Sequence, residues 1–246
     1  AAQALVPVAT SARGTSVEPD FRDAGSLPAA EPGDSGSSDF SQVRIVAHER
    51  NNSLVIFAKP KIYRMIEETG MPISFHAGYH WDDPSLKTVN RFLGMHALGF
   101  AWPNIVHCTN WVLNGMPVRF PKLKVIWIES GIAWAPFLMQ RLDDQFLMRP
   151  SEAPHLKRLP SEYMRDHCWY TTQPMEATNL KALECTLDMI KADTQLLYAS
   201  DWPHFDFDLP SEITDLPFLS EETKRNILGL NAARIFNLDP TPVKQL

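Results

Sequence analysis

The sequence predicts a parallel α/β fold, and three observations lead to it. From about residue 60 onward, short apolar runs alternate with segments of helical periodicity. The runs are predominantly apolar, so they read as strands covered on both faces, as in a parallel sheet. Several of them end in an ionisable residue, the place where strands feeding a catalytic rim put their chemistry. No internal repeat and no glycine-rich phosphate loop is present, which leaves a dinucleotide-binding fold without support.

The elements follow in order. Residues 1–50 are rich in Ala, Gly, Ser, Pro and Asp, as in AAEPGDSGSSD, and read as irregular chain; only 42–47 (QVRIVA) suggests a strand. Residues 59–69 place Ile62, Met65 and Ile66 at helical spacing, and Gly70 stops that helix. Residues 71–76 (MPISFH) form a buried strand, and 84–100 and 105–116 are helical. Residues 123–129 (LKVIWIE) are the clearest strand, being apolar, β-branched and aromatic. A helix over 135–147, a strand over 167–171 (HCWYT), a helix over 178–191 and a strand over 196–200 (LLYAS) continue the alternation. Ser220 caps a helix running to about residue 228, with Glu221 and Glu222 complementing its dipole, and 231–236 adds a last short helix. The organisation is an irregular segment over 1–50 followed by one domain over 51–246.

Composition sets the outer limits. A chain of 246 residues, 44% hydrophobic and 21% charged, builds a sizeable core. A net charge of −6 argues against nucleic-acid or anionic-membrane partners, which favour a basic face. No run of about 18 apolar residues is present, so no membrane span is expected. The opening AAQALVPVAT lacks the basic start of a signal peptide. Cys108, Cys168 and Cys185 show no CxxC pairing and read as buried thiols in a reducing, cytoplasmic compartment.

The candidate chemistry lies at strand ends. MPISFH ends in His76, LLYAS runs directly into Asp201, and LKVIWIE closes on Glu129 ahead of Ser130-Gly131. Imidazole and carboxylate are ligand types for zinc and similar cations. The bland alternative is that all three satisfy loop hydrogen bonds or cap helices. His80 and His204, in the loops beyond, are candidate substrate contacts. His96 and His107 fall in helical stretches and read as packing or surface residues, while His48, His155 and His167 carry no signal. Adjacent residues on a helix point apart, so His107 and Cys108 do not make a nucleophile pair. Trp102, Trp111, Trp127, Trp134 and Phe137 read as core. The apolar content around Trp102 and Trp111 nevertheless exceeds what one helix face needs, which predicts a homodimer.

The strings PISFHAG (72–78), FPKLKV (120–125), ESGIAWAPFLMQRLD (129–143), LYASDWPHFDFD (197–208) and NAARIF (231–236) together resemble the amidohydrolase-related family, the metal-dependent hydrolases similar to aminocarboxymuconate semialdehyde decarboxylase. The resemblance covers roughly residues 60–240 in order. It implies a (β/α)8, TIM-barrel-like fold holding one divalent metal ion, zinc first and manganese second. His76 matches the family's strand-five metal ligand, and Asp201 its strand-eight Asp, which binds metal and handles a proton. Glu129 stands where decarboxylase members carry a His in a His-Gly-Gly pattern, so this chain departs from them at the acid–base step. The family's first-strand His-x-His has no counterpart; in Thr15–Pro19 only Glu18 would serve as a ligand. If MPISFH is strand five, four β/α units of about 30 residues, roughly 120 in all, should precede it. They are not there, so the N-terminal half reads as incomplete: either segments of a longer protein are omitted or the barrel is truncated or remodelled, and omission is the expectation because an unsupported half-barrel exposes apolar strand edges.

The expected function is a metal-dependent hydrolase acting on a small amide, ester or lactone-like substrate through a metal-activated water. Asp201 and Glu129 are the expected acid–base residues, His76 and Asp201 the metal ligands, and His80, His204 and Trp202 the substrate contacts. Two alternatives stand beside it: a metal-dependent non-oxidative decarboxylase of an aromatic or muconate-type acid, and an inactive barrel kept as a binding or assembly subunit.

Overall fold

The computed structural model describes residues 44–48, 53–57, 60–78, 81 and 83–240. The segment before residue 44, with Glu18, and the candidate His80 lie outside the described residues. Two strands, β1 (Arg44–His48) and β2 (Ser53–Phe57), pair antiparallel with Arg44 opposite Phe57. The sequence reading found only the first of them.

Four strands form the sheet that organises the site: β3 (Ile73–His76), β4 (Val125–Ile128), β5 (Cys168–Thr171) and β6 (Leu196–Leu197). They lie side by side in chain order and are parallel throughout. Helices fill every crossover, as parallel connections require. Helix α1 (Pro60–Thr69) leads into β3. Helices α2 (Phe92–Gly99), α3 (Ala101–Leu113) and α4 (Met116–Arg119) connect β3 to β4. Helices α5 (Trp134–Met148) and α6 (Pro160–His167) lead to β5, and α7 (Leu180–Met189) and α8 (Ala192–Gln195) to β6. Helices α9 (Ser211–Thr214), α10 (Glu221–Arg225) and α11 (Asn231–Phe236) close the chain, with a π-helical turn at Asn226–Leu230 between the last two.

Register sorts the side chains onto two faces. Phe75, Trp127, Tyr170 and Leu196 align across the strands and join the main core beneath the helices. The alternate residues His76, Ile128, Ile126, Trp169 and Leu197 share the other face, where Ile235 of α11 completes a smaller cluster with Ile126 and Leu197. In a (β/α) barrel this second face is the interior one.

Several boundaries moved for local reasons. The helix expected from residue 84 begins only at Phe92, because the Asp83 carboxylate accepts hydrogen bonds from Ser85 N and Oγ and ties that stretch into a turn. Its successor starts at Ala101, not residue 105, and ends before Gly115, whose φ of 69° breaks it from α4. The strand expected over 196–200 leaves the sheet after Leu197, since Tyr198 N donates to Ile227 O. Helices α6, α8 and α9 went unforeseen; α6 opens with Pro160 at its first position and is capped by Glu162 reaching back to Leu159 N. Ser220 caps α10 as expected, its hydroxyl accepting from Thr223 N. Trp111 is 2% exposed and belongs to the core, so the surplus apolar surface rests on Trp102, 43% exposed, and its neighbours. Phe137, like Trp102 expected in the core, is 57% exposed, and Cys185, expected buried, is exposed on α7 while Cys108 and Cys168 are buried. No helix among the described residues is long and apolar enough to cross a membrane.

Candidate functional site

His76 is the last residue of β3, Glu129 the first beyond β4, and Asp201 follows β6 by four residues. Parallel strands place all three at their C-terminal ends, on one rim. Glu129 and Asp201 turn the chain sharply, at φ values of 51° and 57°. That conformation is costly for residues with a Cβ, about 1–3 kcal/mol each, and persists only where the surroundings enforce it.

His76 and Glu129 meet directly, with Nε2 2.7 Å from Oε2. The other ring nitrogen, Nδ1, donates to the Ala77 carbonyl at 2.9 Å, which leaves the Nε2 lone pair directed at the carboxylate. Burial raises the proton affinity of Glu129 above the ordinary carboxylate range, the His76 ring opposes that shift, and the Asp201 charge reinforces it. Glu129 is shielded while the His76 ring remains half open to solvent.

Asp201 Oδ2 lies 2.8 Å from His204 Nδ1, and that hydrogen bond raises the His204 ring above its usual range. His204 is exposed. Trp202 is 70% exposed and packs edge-on against Phe207. The structure thus joins His76 with Glu129 and Asp201 with His204, and leaves Trp202 standing at the mouth.

Sequence reasoning passed over the residues that hold these turns. Asn104, buried on α3, donates to Ile128 O immediately before Glu129. Thr171, Thr172, Gln173 and Glu176, all at or after the end of β5, bond to the exits of β4 and β6. Their signal was position alone, at the same strand ends as the charged candidates. His96, read as a packing or surface residue, has its Nε2 3.5 Å from Asp206 Oδ2 and lies among Phe92, Phe100 and Phe205 at this rim. His107 does pack, stacked on Phe75, and burial lowers its proton affinity.

The donor set suits a divalent cation in kind. An imidazole with Nδ1 tied to a carbonyl and Nε2 turned inward is the arrangement of a metal-binding histidine, and two carboxylates supply charge beside it. In number it is incomplete: among the described residues, no group of three or more His, Cys, Asp or Glu is placed to hold a metal ion.

A family model described as amidohydrolase matches residues 21–238. The chain belongs to the amidohydrolase family. This amidohydrolase is 27% identical over 142 residues to the gamma-resorcylate decarboxylase of Rhizobium sp. (strain MTP-10005), an alignment covering 57% of this chain and 42% of that protein. Among solved structures it resembles the 5-carboxyvanillate decarboxylase of Sphingomonas paucimobilis, with a TM-score of 0.59 and 26% identity over 72% of this chain and 52% of that one. It also shares its fold with the dihydroxybenzoic acid decarboxylase of Polaromonas sp. JS666, solved with bound manganese and 2-nitroresorcinol. There the TM-score is 0.55 and the identity 21%, covering 72% and 53% of the two chains. The chain therefore spans about half the length of these relatives. Their TIM-barrel-type architecture accounts for the parallel sheet, its helical crossovers and the single functional rim.

Proposed function

We propose that this amidohydrolase is a metal-dependent, non-oxidative decarboxylase of a hydroxylated aromatic acid. The observation that carries the reading is that His76, Glu129 and Asp201 stand on one rim, with the His76 imidazole 2.7 Å from one carboxylate, which brings together the ligand and proton-carrying groups that the reaction needs. Non-oxidative decarboxylation needs a proton delivered to a ring carbon. The carbon–carboxylate bond then breaks, its electron pair returns to the ring, and carbon dioxide leaves. The similarity to decarboxylases named for gamma-resorcylate and 5-carboxyvanillate supports the same chemistry.

In this reading His76 and Asp201 hold a zinc or manganese ion, which when bound supplies positive charge to anchor an anionic substrate. Asp201 delivers the proton to the ring carbon. Glu129, beside the His76 ring, adds negative charge to the site and keeps that ring oriented. His204 and Trp202 flank the entering ring. A homodimer in a reducing, cytoplasmic compartment completes the proposal, with two buried free thiols and the exposed apolar surface at Trp102 in its favour.

A second reading is the hydrolase first expected from the sequence, and Glu129 favours it. A shielded carboxylate with raised proton affinity is suited to taking a proton from water. The test supplies the manganese-loaded protein with 2,6-dihydroxybenzoate and 5-carboxyvanillate and measures carbon dioxide release, with a panel of aryl esters and lactones alongside. Carbon dioxide from either acid supports decarboxylation. Ester or lactone turnover without it moves the assignment to hydrolysis. Neither activity, with no metal retained, leaves a binding barrel. Sedimentation across the micromolar range checks the dimer, and a monomer throughout would remove that part.

A further inference from the structure

The exit of β5 carries no candidate for chemistry, yet it touches the exits on both sides. Toward β4, Thr171 Oγ1 accepts from Glu129 N at 3.1 Å. The Glu176 carboxylate accepts from Ile132 N at 3.0 Å and from Ala133 N at 3.1 Å. Toward β6, Thr172 Oγ1 donates to Ala199 O at 3.2 Å and accepts from Ala199 N at 3.0 Å. Gln173 Nε2 donates to Asp206 O at 3.1 Å and to Asp206 Oδ2 at 3.3 Å. Thr172 and Gln173 are each 1% exposed, so water does not substitute freely for these partners.

These bonds fall where the backbone needs them. Glu129 and Asp201 both occupy the left-handed region, which each would leave if its neighbours let go. Ala199 lies two residues before Asp201 and Asp206 five after it, so Thr172 and Gln173 grip the turn at both ends. A hydroxyl that donates to and accepts from the same residue fixes position and orientation together.

We propose that Thr172 is the positioning residue for Asp201, with Gln173 as its second anchor, and that the tail of β5 is the brace from which both rim carboxylates are aimed. The proposal rests on the reading of His76 and Asp201 as a metal-binding and reacting pair. Neither Thr172 nor Gln173 is argued to touch the substrate. Their effect passes through the direction of the Asp201 carboxylate, where a misplacement of a fraction of an ångström is enough to weaken metal binding and turnover.

The experiment compares the parent with Thr172→Val, Thr172→Ser and Gln173→Leu in the full chain. Mn2+ affinity is read by electron paramagnetic resonance titration, folding by thermal melts, and kcat and KM on whichever acid the parent decarboxylates. Thr172→Val keeps the shape and removes both bonds. It is expected to weaken Mn2+ about 10- to 100-fold, the range for losing a group that orients a metal ligand. Thr172→Ser restores the hydroxyl and should recover most of that loss, a rescue that a packing role for the methyl group would not give. Gln173→Leu should fall between, lowering kcat more than it changes KM. If the parent binds no Mn2+, the functional reading beneath the proposal is overturned. If the parent binds Mn2+ and a folded Thr172→Val matches it, the positioning proposal alone fails. If Thr172→Val loses its fold, Gln173→Leu decides, and parental affinity there overturns the proposal.

Discussion

The exits of β4 and β6 each bring a carboxylate to the rim through a residue at positive φ, Glu129 at 51° and Asp201 at 57°, and differ in nearly everything around it. After Glu129 the chain dives inward: Ser130 and Ile132 are 4% and 0% exposed, and the Trp134 indole donates to Gly131 O. After Asp201 the chain stays outside, with Trp202 and Phe205 70% and 76% exposed. One carboxylate is thus fixed in dry surroundings that raise its hold on a proton. The other is as shielded, 16% exposed against 14%, but the chain beyond it sets exposed aromatic rings beside it. The same backbone device serves two purposes, and what packs behind the turn decides which.

Exchanging the charge at the open exit should give the largest effect. Asp201→Asn keeps the shape and removes both charge and proton acceptor. Turnover should fall by about two to four orders of magnitude with the fold intact, the range for losing a general acid–base. His76→Ala should instead lose metal, read as Mn2+ retained after gel filtration. An Asp201→Asn protein with parental turnover and metal retained would end the proposed mechanism.

The closed exit is probed by Gly131→Ala. Gly131 has φ 70°, and a Cβ there would come within 2.2 Å of Glu176 Oε1. The Glu176 carboxylate cannot retreat without releasing the Ile132 and Ala133 amides. A stability loss of about 1–3 kcal/mol is expected from strain and displaced bonds together. In a Glu176→Ala background the added cost should shrink toward the conformational part, about 1–2 kcal/mol. Equal costs in both backgrounds, measured by urea unfolding, would show that Glu176 does not close this exit.

The contrast also explains what was readable in the sequence. Residues 125–128 announced a strand because burial on both faces demands an unbroken apolar run, and His76 and Asp201 stood out as ionisable groups at the ends of such runs. The amidohydrolase resemblance then placed them in a barrel, as the family match over 21–238 bears out. Thr171, Thr172 and Gln173 were invisible because they are uncharged and act through partners 27 to 42 residues away in the chain, which is tertiary information. The late start of α2 was lost to one side chain, Asp83, whose turn outcompetes a helical pattern that apolar spacing alone had extended. Neither Glu176 as a cap nor Gly131 as its counterpart was legible before the loop after β5 was seen to fold back onto the β4 exit.

The smallest expected effect tests whether the open exit collects unrelieved negative charge. Asp208 closes the turn that Asp201 opens, its amide donating to Ser200 O. Its pKa is raised from 3.8 to about 6, first by burial and then by the charges of Glu212, Asp206 and Asp201. A carboxyl with a raised folded-state pKa binds its proton more tightly folded than unfolded. Its contribution is therefore most favourable below the unfolded value, declines as pH rises from about 4 to about 6, and is a constant penalty above that. The full shift would correspond to roughly 3 kcal/mol, but the group is partly exposed and solvent screening cuts this to about 1 kcal/mol. Asp208→Asn removes the charge while leaving the backbone bonds to Ser200 and Tyr198 in place. The metal-free variant should exceed the parent in stability by about 1 kcal/mol at pH 8, and the gap should close as the pH falls to 4. Urea unfolding of both proteins across that range gives the answer. A gap that widened toward low pH, or a variant no more stable at pH 8, would mean that the charges of this turn are already neutralised by their surroundings. The difference between the two exits would then lie in burial alone.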